Sequence, residues 1–263
     1  MDVKLNYEEK GTGFPLIMLH GNGENLSYFK KQVEFFSREY RVITVDTRGH
    51  GKTPRGNKPF TIEQLAEDLY FFMEEQHIDK AHILGFSDGG NIAVAFALSH
   101  PEKAEKLILS GANLYPSGLK RNFLAFSTVT YKVICCMEKI KYRQSSDTSG
   151  ELRQSENRPA RKKELLSLMI NDPHIEPAQL AEICSPTLVI AGTHDIIKHE
   201  HTELIAANIP GSKLVFIKGG HSLAMLKPKE FNQVVYDFLK YSLQGTTQGN
   251  GLTGGLPPVR FSM

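Results

Sequence analysis

The chain has 263 residues, with 31 Lys and Arg against 29 Asp and Glu and a formal net charge of +2. A balance this even gives no global pull toward nucleic acid or an anionic surface, no stretch is long and apolar enough to span a bilayer, and the length suits one sizeable core. Of the 3 cysteines, Cys135, Cys136 and Cys184, the adjacent pair is not a metal or redox spacing, and the odd count fits a reducing, cytoplasmic compartment.

In chain order, residues 1–7 alternate as a strand and lack the apolar region of a signal peptide. Leu16-Ile17-Met18-Leu19 reads as a buried strand and runs into His20-Gly21-Asn22-Gly23. Helices are expected over residues 26–36 and 62–76, the second opened by Thr61 as a cap. Between them, the strand at residues 41–45 leads into Asp46-Thr47-Arg48-Gly49-His50-Gly51. A short buried strand, Ala81-His82-Ile83-Leu84, precedes Gly85-Phe86-Ser87-Asp88-Gly89-Gly90, and a helix at residues 91–98 follows. After the strand at residues 107–110 the alternation of strand and helix stops. Residues 113–172 instead read as an amphipathic helix (119–140), a polar stretch (144–157) and another helix (160–170). The pattern returns with a strand at 187–192 ending in Thr193-His194-Asp195. A second strand at 213–217 ends in Lys218-Gly219-Gly220-His221, and a last helix covers 228–243. Strands alternating with helices predict a parallel sheet covered on both faces, by the right-handed crossover rule. Residues 244–263 are rich in Gly, Thr and Gln without periodicity and are expected to be flexible.

The stretch from Gly85 to Gly90 carries the chemistry. Gly-x-Ser-x-Gly between a strand and a helix is a tight turn that exposes the serine hydroxyl at the strand's carboxyl end, above a helix N-terminus. Its flanking positions must be small, which Gly85, Gly89 and Gly90 satisfy. A serine needs a base to accept its proton, and the base needs an acid to orient it. Asp195 and His221 each follow a strand, so both fall on the same sheet edge as Ser87. Asp195 also suits the N-cap of the next helix, a compatible role. His194 precedes the last strand and is the weaker choice of base. His20, His50, His77, His82, His100, His174, His199 and His201 read as surface, loop or core residues.

These motifs together resemble the α/β-hydrolase family over nearly the whole chain, from about residue 3 to 242. The resemblance implies an α/β fold with a mostly parallel, eight-stranded sheet and helices on both faces. The core is expected at residues 1–112 and 173–243, a small helical cap at 113–172 and a tail at 244–263. It also implies the chain order Ser, acid, His, and an oxyanion hole built from the backbone N–H groups of Asn22 and Asp88. The Asp46–Gly51 loop is structural in that family. The Asp88 side chain could turn away from Ser87, contact the helix N-terminus or select a cationic substrate group. Substrate-pocket candidates are Phe86, Phe123, Phe126, Tyr131 and Met225. The cap is basic, with Lys120, Arg121, Lys132, Lys139, Lys141, Arg143, Arg153, Arg158, Arg161, Lys162 and Lys163. A solvated charged face explains that excess more simply than an anionic substrate does.

Gly-Phe-Ser-Asp-Gly-Gly is similar to the biphenyl hydrolase-like and meta-cleavage-product hydrolase branch. A serine nucleophile separates the chain from related dehalogenases and epoxide hydrolases, which use aspartate. The carbon–carbon hydrolases of the branch often carry an aromatic residue after the catalytic histidine, where this chain has Ser222. They also have a glycine-proline-rich oxyanion loop, where this chain has Glu24-Asn25. A carboxylesterase acting on a small-molecule ester and water is therefore the first reading. Carbon–carbon bond hydrolysis, a thioesterase or lactonase, and a ligand sensor with vestigial turnover are the alternatives. No cofactor or metal is expected, since no set of His, Cys and carboxylates has zinc spacing. Monomer and homodimer both remain open.

Overall fold

The computed structural model describes residues 2–144 and 158–240. The polar stretch expected within the cap, apart from Gln144, and the tail expected over 244–263 lie outside the described residues. So do the side chains of Lys141, Arg143, Arg153 and Arg158.

Among the described residues, seven strands form one sheet: β1 (Asn6–Lys10), β2 (Phe14–Leu19), β3 (Tyr40–Asp46), β4 (Ala81–Phe86), β5 (Ala104–Ser110), β6 (Thr187–Gly192) and β7 (Lys213–Ile217). Their order is β1-β3-β2-β4-β5-β6-β7, and only β1 runs antiparallel to its neighbour. The expected count was eight strands. Pairing of β1 with β3 starts at Asn6, opposite Asp46. Asp2 binds the Arg48 guanidinium and accepts from the N–H groups of Asn57 and Lys58. Val3 and Leu5 are buried in the core.

The central strands are apolar on both faces, as a sheet covered by helices requires, and β4 is buried at every position. Alternate residues serve opposite layers. Ile17, Leu19, Ile83, Leu107 and Leu109 pack with Leu65, Leu69 and Phe72 of α2 (Ile62–Glu75) and with Ile92 and Phe96 of α3 (Asp88–Ser99). Leu16, Met18, Leu84 and Ile108 pack on the other face. Their partners are Phe36 of α1 (Lys30–Phe36) and Phe231, Val235 and Phe238 of the C-terminal helix, Pro228–Lys240. The Thr61 hydroxyl accepts from Gln64 N and caps α2 as expected. The helix expected over 26–36 begins as a 3-10 turn, Leu26–Phe29, whose first free N–H, that of Leu26, donates to Asp46 Oδ1 at 2.8 Å.

Above the sheet edge lie α4 (Arg121–Gln144) and α5 (Arg158–Asn171), packed on one another. The chain then returns to the core through β6, α6 (His199–Asn208), β7, the short α7 (Leu223–Leu226) and α8 (Pro228–Lys240). No helix among the described residues is long and apolar enough to cross a membrane.

Candidate active site

The turn between β4 and α3 is as tight as its glycines require. Ser87 sits at φ 53° and ψ −120°, a left-handed conformation that costs a non-glycine residue energy. A Cβ on Gly85 would lie 2.1 Å from Gly89 O, and one on Gly89 would lie 2.0 Å from Leu19 O. Any larger residue at either position would push the serine out of place.

Ser87 Oγ lies 3.0 Å from His221 Nε2, and His221 Nδ1 lies 2.6 Å from Asp195 Oδ1. The three residues come from the loops after β4, β6 and β7, so the sheet itself sets their spacing. Asp195 is buried. Its oxygens also accept from Ile197 N at 3.0 Å and Gly192 N at 3.3 Å. Burial alone would raise its pKa, but the bonds from His221 and these two N–H groups outweigh that and hold the carboxyl below its ordinary value. The N-cap alternative for Asp195 does not apply, since α6 opens later, with Lys198 as its N-cap. Gly111, at φ +63°, backs the imidazole so closely that a Cβ there would stand 2.7 Å from His221 Cε1. His194 is turned to the Thr193 hydroxyl at 2.9 Å.

Two backbone donors beside Ser87 stand out. Among the described residues, no hydrogen bond uses the N–H of Asn22 or of Asp88. Several nearby N–H groups are occupied. Gly21 N donates to Glu24 Oε2 (3.3 Å), Gly23 N to His50 Nε2 (3.1 Å), Ser87 N to Ser110 O (2.8 Å) and Gly90 N to Ser87 O (2.8 Å). The Asp88 carboxylate is engaged with amides: it accepts from Asn22 Nδ2 at 2.8 Å and Asn91 Nδ2 at 3.4 Å. Burial pushes its pKa up, against the pull of the Asn22 bond. Asn22 Nδ2 also donates to Leu165 O at 3.0 Å, which ties this loop to cap helix α5.

The pocket candidates divide. Phe123 and Phe126 line a cavity of about 360 Å³ that reaches His194 and Asp195. Phe86 does not face that cavity. Its side chain is 2% exposed, stacks on Tyr28 at 4.5 Å and packs 4.8 Å from the His221 ring. Strand alternation turns it into the same layer as Leu84. Tyr131 is half-buried on α4 and Met225 is exposed on α7; neither lines the cavity beside Asp195. Two further cavities, of about 280 and 470 Å³, share Arg161 and Leu165 of α5; the larger reaches Gly23 and Glu24 and is also lined by Lys162. Of the other cap cations, Lys163 pairs with Glu138 at 2.7 Å.

Sequence reasoning missed Glu24, His20 and His50. Glu24 is half-buried. Burial raises its carboxyl pKa, while the Gly21 N–H and the nearby His221 pull it down. Its only sequence signal was that it departs from the expected loop. The two histidines bind the loop that carries Asn22. Among the described residues, no group of three His, Cys, Asp or Glu is arranged to hold a metal ion.

Comparison with known proteins fits this arrangement. The profile of the alpha/beta hydrolase fold family matches residues 15–228. A 2-hydroxy-6-oxononadienedioate/2-hydroxy-6-oxononatrienedioate hydrolase of Cupriavidus pinatubonensis is 31% identical, covering 90% of this chain and 91% of its own. A hydrolase of the same name from Pseudomonas putida is 33% identical, covering 92% and 93%. Among solved structures, a thermophilic esterase from Thermogutta terrifontis superposes with a TM-score of 0.71 at 25% identity, covering 90% of this chain and 93% of its own. With a serine elbow, a histidine and an acid on one sheet edge and a profile match over most of its length, the chain belongs to the α/β-hydrolase fold family.

Proposed function

We propose that Ser87 is the nucleophile of a hydrolase, His221 its general base and Asp195 the acid that orients the base. Asn22 and Asp88 N–H would receive the oxyanion. The observation that carries this reading is a serine hydroxyl already bonded to an imidazole, beside two N–H groups without an acceptor. His221 Nε2 takes the Ser87 proton as the oxygen adds to the substrate carbonyl. Asp195 holds the hydrogen on Nδ1 and stabilises the imidazolium. The leaving group departs with the proton from His221. Water then repeats the sequence on the acyl-enzyme and frees Ser87.

For the substrate, the similar relatives favour the carbon–carbon bond of a 2-hydroxy-6-oxodienoate over the ester that the sequence put first. Their named substrates are diacids, and Arg161 and Lys162 line a cavity beside the oxyanion loop that suits an anionic chain. The same residues act, after one added step: the 2-hydroxyl proton of the dienol moves to C5, giving the 2,6-dioxo form, and Ser87 then adds to the 6-oxo carbon. The bond to the next carbon breaks, and the fragment leaves as an enolate that takes the proton from His221. Ser222 and Glu24, which replace the aromatic and glycine-proline residues of that branch, keep ester hydrolysis as the second reading.

The test compares hydrolysis of 2-hydroxy-6-oxonona-2,4-dienedioate, followed by loss of its visible absorbance, with that of p-nitrophenyl butyrate. A kcat/KM at least about tenfold higher on the dienedioate supports the first reading, and the reverse ratio establishes the esterase. Equal turnover by Ser87→Ala on either substrate would overturn the serine assignment itself.

A further inference from the structure

Two imidazoles that the hydrolytic steps never use hold the loop carrying Asn22. Thr47 N–H donates to His20 Nε2 at 3.2 Å. A ring nitrogen accepts only when it is bare, so the His20 hydrogen is on Nδ1, which donates to Gly21 O at 2.8 Å. Gly23 N–H likewise donates to His50 Nε2 at 3.1 Å. The His50 hydrogen is therefore on Nδ1, which lies 3.0 Å from both Arg48 O and the Thr47 hydroxyl. The rings cross at 64° with centroids 5.0 Å apart, and both side chains are at most 2% exposed. Burial lowers the pKa of each, that of His50 to about 3, against the pull of Asp46 on both; His20 and Arg161 lower His50 further. Both rings are therefore neutral at ordinary pH, as their hydrogen bonds require.

The atoms they grip straddle Asn22. Gly21 C=O and Asn22 N–H belong to one planar trans peptide and point in opposite directions. Fixing Gly21 O therefore aims Asn22 N–H, and holding Gly23 N fixes the next peptide. We infer that His20 and His50 are positioning residues for the oxyanion hole, each acting through one locked tautomer. This rests on the proposed role of Asn22 N–H.

The experiment replaces each ring with an amide that keeps the atom facing the loop, and separately with leucine, which keeps neither. Asn at position 20 places an N–H donor near the former Nδ1; Gln at position 50 places an acceptor near the former Nε2. His20→Leu and His50→Leu should lower kcat by about 10- to 100-fold with KM within about threefold, and should weaken a boronate transition-state analogue in parallel. His20→Asn and His50→Gln should keep kcat within about fivefold of wild type. Amide hydrogen exchange is read on the same proteins. Gly23 should be protected in wild type and His50→Gln and exposed in His50→Leu.

Leucine variants with wild-type kcat, a loss confined to KM, or equal losses in the leucine and amide variants would overturn the proposal. Retained Gly23 protection in His50→Leu would overturn it whatever the turnover. If the leucine variants do not fold, a folded His50→Gln with Gly23 protected and kcat more than about tenfold down would do the same. Absence of turnover by wild type on every substrate would instead defeat the functional reading, while exchange still decides whether the rings place the loop.

Discussion

The two sides of the cleft are built on opposite principles. On the core side, the reactive groups are held by atoms that cannot move far. Asp195 has three donors, the Ser87 backbone is bonded to β5, and Gly111 leaves no space behind His221. On the cap side, α4 turns Phe126, Val129, Val133, Met137 and Ile140 outward, each half or more exposed. Hydroxyls of α4 bond within the helix itself, Thr128 to Leu124 O and Thr130 to Phe126 O. Among the described residues, its polar ties to α5 are the Lys163–Glu138 pair and a Ser127 hydroxyl 3.5 Å from Met169 Sδ. The sheet edge thus holds Ser87, Asp195 and His221 in a fixed arrangement, while α4 leaves a broad apolar face exposed.

The sharpest way to break this contrast is Asp195→Asn. On the rigid side a single wrong tautomer should be enough, so kcat should fall by about 10,000-fold while circular dichroism stays native. A loss under about tenfold would mean that His221 is oriented by something else. Gly111→Ala comes next. The added methyl must displace the imidazole, and kcat should fall about 100-fold at constant KM, measured by steady-state kinetics. An unchanged rate would show that the core side yields more than its packing implies.

Asp172, at the junction of cap and core, sharpens the comparison through pH. Burial raises its pKa to about 6, with Glu63 adding to the effect. Folding therefore favours the protonated form, so the destabilisation by its charge is full above about pH 6 and fades as the pH falls toward the ordinary carboxylate value. Asp172→Asn should stabilise the protein by on the order of 1 kcal/mol at pH 8 and by nothing at pH 4, read as a difference in thermal midpoint. A gain that persisted at pH 4 would point to packing instead of charge. The smallest effect belongs to the cap surface. Phe126→Ala should leave the thermal midpoint and the rate on a short substrate within about twofold, and shift the preference among longer ones.

What the sequence revealed follows from how local each signal is. Ser87, Asp195 and His221 each end a strand, so hydrophobic runs alone put them on one edge, and the structure brings them within hydrogen-bond range. The Gly-x-Ser-x-Gly turn was legible because its glycines are forced by contacts inside a few residues. His50 was not, because its partner Gly23 lies 27 residues away and nothing in the spacing of either announces the bond. The packing of Phe86 was hidden for a related reason: nothing in the linear sequence shows that its ring lies 4.8 Å from that of His221. The count of eight strands came from the family resemblance, whereas the hydrophobic runs themselves mark seven, the number found among the described residues. The cap hides its meaning most, since an amphipathic helix shows which face is apolar but not which molecule it meets.

The most direct test of the central claim is covalent. A fluorophosphonate added to the native protein should leave one phosphonyl group, mapped by mass spectrometry to Ser87, with hydrolysis lost in proportion to labelling. Replacing His221 with alanine should slow that labelling. No adduct, or an adduct on another residue that leaves Ser87 free, would contradict the account.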